Sequence, residues 1–202
     1  MESNATLPIN PFAFGLAWVA LLPACQNPDD IIQAARVDDL DKLRDCIESG
    51  IPVDHADPVG ETALFHIVGM GSDEGFRLLL ENDADIHHRD RQGDTTLHKA
   101  MTFDQRGLAS HLIERGLDIN ATNKVGATAL HYAVRSGNLG MVEFLVEKGA
   151  EVEVKNTDDI SPAQVAQAMS EQEGLSGPMG RMISKKQMNK IMSALTKPNI
   201  NK

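Results

Sequence analysis

The sequence predicts an all-α repeat solenoid of about five helix-turn-helix units, with capping units at its ends. Three observations predict it. The stretches "GETALFHIVGMG" from Gly60, "GDTTLHKAMTFD" from Gly93 and "GATALHYAVRSG" from Gly126 start 33 residues apart, and a fixed period of this size marks stacked supersecondary units. The stretches that follow them, "FRLLLENDADIH", "ASHLIERGLDIN" and "MVEFLVEKGAEVE", repeat in the same register, as does the earlier "LRDCIESGIPVD". One Trp, one Tyr and six Phe among 202 residues, 42% of them hydrophobic, leave a core of Leu, Ile, Val, Ala and Met, the palette of short packed helices.

In chain order, residues 1–25 stand outside the period. No charge occurs from Ser3 to Pro28, and Pro11 to Leu22 is an apolar run too short for an ordinary membrane span but long enough for a signal-peptide core. "LPAC" at Leu22 to Cys25 is similar to a bacterial lipobox, with Pro23 unusual in its place and Glu2 where Lys or Arg is normal. The expectation is an export signal with Cys25 as the lipid-attachment residue. The alternative is a hydrophobic N-terminal cap, for which Pro8, Pro11, Gly15 and Pro23 make a poor helix.

Residues 26–170 form the repeat domain, with units near 28–56, 57–89, 90–122, 123–155 and 156–170; "PDDIIQAARVDD" and "DISPAQVAQAMS" are the fainter outer copies. Thr62, Thr95 and Thr128 precede each first helix as N-caps, and Gly50, Gly116 and Gly149 stop the second helices. In the fourth unit Val142, Leu145 and Val146 give the second helix an apolar stripe. One such pair cannot bury its stripe alone, so stacking supplies the core. Residues 171–182 read as a linker. Residues 183–197 read as a capping helix with Met188, Ile191, Met192 and Leu195 on one face, the alternative being a helix for a partner or a membrane surface.

Composition narrows the chemistry. Asp29 to Ser170 holds 26 acidic and 13 basic residues, whereas Glu171 to Lys202 holds 2 and 6. An acidic body argues against nucleic acid, whose phosphates need Lys and Arg, and suits a protein partner with a basic surface. Two cysteines are too few for a disulfide framework and show no zinc spacing. Cys46 takes the place of Leu79, Leu112 and Leu145 in later units and reads as core. Of seven histidines, His98 and His131 recur at one repeat position, while His87 and His88 have no ligands at metal spacing, so no metal or cofactor is expected. Ser110 and His111 are helix neighbours facing different ways, and no nucleophile turn or phosphate loop is present, so no enzyme is expected.

The repeated stretches resemble the ankyrin-repeat pattern G-x-T-P-L-H-x-A-A followed by a leucine-rich helix and G-A, best kept in "GATALHYAVRSGNLGMVEFLVEKGAEVE". Ala63, Thr96 and Ala129 replace its Pro, Phe65 its first His, and Asp159 its last Gly. The resemblance implies a concave protein-binding face, to which it maps Met70, Arg89, Arg91, Gln92, Asp94, Phe103, Lys124, Val125, Tyr132 and Arg135, together with Pro58, Val59, Glu61 and Ser136. Aromatic, Met and Arg side chains free of core duty are the residue types of interface anchors. The expectation is a non-catalytic binding protein of the periplasm or a membrane-anchored lipoprotein, acting as an inhibitor or immunity protein against a toxin or effector. The alternative is a cytoplasmic scaffold or regulatory adaptor, or a host-targeted effector, without export.

Overall fold

The computed structural model describes residues 25–171 and 183–196. The expected export signal, apart from Cys25, and nearly all of the expected linker lie outside the described residues. Ten helices follow one another among those described: α1 (Asp29–Arg36), α2 (Leu40–Glu48), α3 (Ala63–Met70), α4 (Asp73–Glu81), α5 (Thr96–Thr102), α6 (Arg106–Glu114), α7 (Ala129–Arg135), α8 (Leu139–Glu147), α9 (Pro162–Glu171) and α10 (Lys185–Leu195). The inner helices α1, α3, α5, α7 and α9 stack in that order, and α2, α4, α6 and α8 each back onto the inner helix of their own unit. The chain is an all-α repeat solenoid.

The period appears directly in the burial. Ile31, Leu64, Leu97 and Leu130 on the inner helices are sealed from solvent, as are Cys46, Leu79, Leu112 and Leu145 on the outer ones. Each such aliphatic side chain contributes about 1.5–3 kcal/mol by leaving water. Small Ala34, Ala100 and Ala133, fully buried one turn along the inner helices, let successive units approach closely.

Each junction between units is a turn held by one side chain. Asp57 Oδ1 accepts the N–H groups of Val59 and Glu61, Asp90 Oδ1 those of Gln92 and Asp94, Asn123 Oδ1 those of Val125 and Ala127, and Asn156 Oδ1 those of Asp158 and Ile160. These residues recur every 33 positions, so the same Asx bond builds every turn. Neighbouring turns then join through the backbone: the N–H of Arg91 donates to Val59 O at 3.0 Å, that of Lys124 to Gln92 O at 2.9 Å and that of Thr157 to Val125 O at 3.0 Å. Gly60, at φ +87°, lies so close to the next turn that a Cβ would come within 2.7 Å of Arg91 N. The glycine at this register therefore serves both the turn and the contact between units. Left-handed backbone also recurs where helices end, and there the chain alternates Gly with Asp: Asp38, Gly71, Asp104 and Gly137 share one register. Gly50, Gly116 and Gly149 share another with Asp83, which stops α4 where no glycine is present.

At the C-terminal end, α10 lies against α8 and α9. Met188, Ile191, Ala194 and Leu195 are buried, Ser184 caps the first turn by accepting from Gln187 N–H, and Gln187 Nε2 donates to Gly137 O. The other end carries a cross-link that sequence reading did not foresee. Cys25 is buried and forms a disulfide with Cys46, their Cα atoms 5.0 Å apart. In this fold the Cys25 sulfur is engaged with Cys46 and staples the start of the described chain to α2. Spacing could not reveal this, because the two cysteines meet only once α1 and α2 have folded back on one another.

Candidate functional site

The face formed by the inner helices and the tips of the turns carries most of the polar side chains that link one unit to the next. Its two ends are built differently. Around α3, Asp57 Oδ2 accepts from Arg36 Nη2 at 2.8 Å and faces His66 Nε2 at 3.2 Å, while Glu61 pairs with Lys99 and lies 3.7 Å from His66 Nδ1. Burial opposes ionisation of Asp57, but the N–H groups of Glu61 and Val59 and the His66 ring hold its carboxyl below the usual range. Burial, aided by Arg36 and Lys99, holds the His66 imidazole below its usual value against the pull of Glu61 and Asp57. Ligand atoms of Asp57, Glu61 and His66 lie within 4.8 Å of one another, a spacing a metal ion could bridge. Arg36 and Lys99 already supply that cluster with two positive charges, and this donor set belongs to an ion-pair network.

Around α7 one carboxylate, Asp94, is held by uncharged donors. Tyr132 Oη donates to Asp94 Oδ2 at 2.7 Å, and Asn123 Nδ2 donates to Asp94 Oδ1 at 2.7 Å and to Tyr132 Oη at 3.2 Å. Burial, then the bond to Asp94, pushes the Tyr132 phenol up to about 12. Its ring meets the edge of His98, with centroids 5.1 Å apart, and carries the Arg135 guanidinium 4.6 Å from its centroid.

The residues expected to bind a partner therefore divide by role. Tyr132 and Asp94 are half-buried and occupied with one another, and Arg89 is committed to the carbonyls of Gly93 and Thr122. Phe103 is half-buried, its ring 5.3 Å from Lys99 Nζ and packed beside Gly69. Met70 and Val125 are 53% and 55% exposed, and Arg91, Gln92, Lys124 and Arg135 are exposed as well. Val37, Met70 and Phe103 occupy one register, the end of successive inner helices; Val37, which sequence reasoning passed over, is 70% exposed. The signal for Val37 was present, since it lies 33 residues before Met70.

Two histidines act inside the scaffold. Thr95 N–H donates to His98 Nδ1 at 3.1 Å, the Thr95 hydroxyl faces the same atom at 2.9 Å, and His98 Nε2 meets Ala127 O of the next unit at 3.0 Å. An accepting Nδ1 puts the ring proton on Nε2, which donates across the junction. His131 repeats the arrangement with Thr128 and Ile160 O. Each is a capping box in which the third helical residue reaches back to the cap. In the second unit Phe65 fills the histidine position, and the buried Thr62 hydroxyl is left without a partner. His88, given no role from the sequence, packs edge-on against Phe65 at 6.0 Å and bonds Gly60 O at 2.9 Å. On the outer helices a separate groove of about 330 Å³ is lined by Asp73, Phe76, Arg77, His111 and Arg115.

A stacked helical solenoid with Thr–His junctions and a continuous inner face defines a repeat protein built for binding other macromolecules. Two family models, described as ankyrin repeats (3 copies) and ankyrin repeats (many copies), match residues 31–123 and 112–166 respectively, so this chain belongs to the ankyrin-repeat family. Ankyrin repeats are protein-protein interaction modules. No curated protein matches the chain.

Proposed function

We propose that this protein is a non-catalytic binder that works in an oxidising compartment, the bacterial periplasm, by seating a toxin or effector protein on its inner face and blocking it. The observation that carries the reading is the register of Val37, Met70 and Phe103: three large apolar side chains repeat along one edge of the face, and Val37 and Met70 are mostly exposed although the scaffold needs neither for its core. Exposed apolar side chains in a row cost solubility and suit a partner surface.

The compartment rests on different support. Disulfides persist where thiols are not kept reduced, and both cysteines of the chain are joined to one another.

A pull-down with the full chain tests the binding step, Met70→Ala/Phe103→Ala serving as the matched control. The expected result is a co-purifying secreted protein whose activity falls on addition of the wild type and not of the double variant. Equal capture by both would remove the inner edge from the reading, and capture without loss of activity would remove inhibition.

A further inference from the structure

We infer that the inner face takes an acidic, apolar segment of its partner protein, laid across the turn tips at Arg91 and Lys124. This rests on the reading of that face as protein-binding and adds the chemistry of what lies there.

The net charge of −10, from which a basic partner is expected, describes other parts of the molecule. Exposed carboxylates crowd the outer helices, with Asp41, Asp45 and Glu48 on α2 and Asp73, Glu74 and Glu81 on α4. The carboxylates nearest the two central turns of the inner face are already engaged. Asp57 is held by Arg36 and His66, Glu61 by Lys99, Asp94 by Tyr132 and Asn123, and Asp90 by the N–H groups of its own turn.

Arg36 and Lys99 answer two of them, but among the described residues three further cations of the same face have no carboxylate partner. Arg91, Lys124 and Arg135 are exposed, and among the described residues none has a carboxylate within 4.0 Å. Arg91 and Lys124 occupy the same place in consecutive turns, and the backbone bonds between neighbouring turns fix those turns side by side. Exposed Val59 and Val125 flank the pair, one in the turn before Arg91 and one beside Lys124. Acidic Asp158 closes the row in the following turn, where Lys155 holds Asp159. The two central tips therefore offer positive charge without internal compensation, set between apolar side chains. A segment bearing Asp or Glu between Leu, Ile or Phe residues satisfies both, whereas a basic segment would set like charges against one another.

The test is selection from a random peptide library displayed on phage, panned against the full chain and against Arg91→Glu/Lys124→Glu. Both substitutions lie on exposed turn tips, and circular dichroism verifies the variant's fold. Peptides enriched by the wild type are expected to be rich in Asp and Glu beside Leu, Ile or Phe. Synthetic copies should bind the variant about tenfold more weakly, and the variant should itself enrich Lys and Arg. Enrichment of neutral or basic peptides by the wild type, or the same selection by both proteins, overturns the inference. If such peptides still lose binding to Met70→Ala/Phe103→Ala, the protein-binding face survives and only its acidic occupant is wrong. Peptides indifferent to every inner-face variant, or no enrichment at all, overturn both readings.

Discussion

Tyr132 donates its hydroxyl proton to Asp94, 38 residues earlier and one unit away, at 2.7 Å. The bond adds a phenol–carboxylate contact to a junction that His98 and Asn123 also bridge. Tyr132→Phe removes it and keeps the ring that packs on His98, so the variant should lose about 1 kcal/mol of stability in thermal melts. With the phenol pushed up to about 12, the spectrum of the chain's one tyrosine should stay protonated well past pH 10. The sign follows: the folded pKa exceeds the unfolded one, so this contribution is present below pH 10 and is lost as pH rises towards 12. Ionisation near pH 10 would show that Asp94 is not its partner.

His98 and His131 give the opposite dependence. Burial holds both imidazoles below their usual value, against the opposing pull of carbonyl acceptors on the next unit. The unfolded chain binds more protons than the folded one, so stability is fully present above about pH 6.5 and falls as pH drops below it. Melting temperature followed from pH 7.5 to 5 should decline, and His98→Phe should shallow that decline while lowering stability at pH 7.5 by about 2 kcal/mol. That loss comes from leaving Ala127 O and Thr95 N–H buried and unpaired.

The disulfide between Cys25 and Cys46 spans 21 positions and ties the start of the described chain to α2. Chain-entropy reasoning gives such a loop about 3 kcal/mol. Intact mass should rise by about 2 Da on reduction, as two thiols form. Cys46→Ser should then melt at a lower temperature than the oxidised wild type, with the change concentrated in amide exchange of α1 and α2. An oxidised chain with unaltered protection in α1 and α2 after reduction would remove the staple from the account.

Thr96 carries a buried hydroxyl with no hydrogen-bond partner, at a register where Ala63 and Ala129 stand in the units on either side. Thr96→Ala removes the unpaired group and improves helix propensity, and should stabilise the protein by about 1 kcal/mol in denaturant titration. A loss of stability would mean that the hydroxyl bonds to water.

The stack was legible in the sequence because one period governs it. Leu64, Leu97 and Leu130 could be placed by counting, and so could the histidine that closes each box. What counting could not supply was contact between units. Asp94 appears in the sequence as an exposed candidate and is instead consumed by Tyr132, and Arg89 is consumed by two carbonyls, because partners about a unit apart become neighbours only when the stack forms. The disulfide was illegible for the same reason. The Asx ladder of Asp57, Asp90, Asn123 and Asn156 was visible in principle as a second residue on the same period, hidden only by its change from Asp in two turns to Asn in the next two.

That ladder gives every turn in the stack the same Asx bond, which turns length into a separable property of the protein. Excising residues 90–122 would bring Lys124 N–H to Val59 O, where Arg91 N–H now sits, and Asn123 would rebuild the turn as Asp90 does. The span of the binding surface can thus be shortened or extended by whole cassettes without inventing a new seam, and a lineage carrying this chain can fit its reach to a new target by gene-level duplication before any single residue changes.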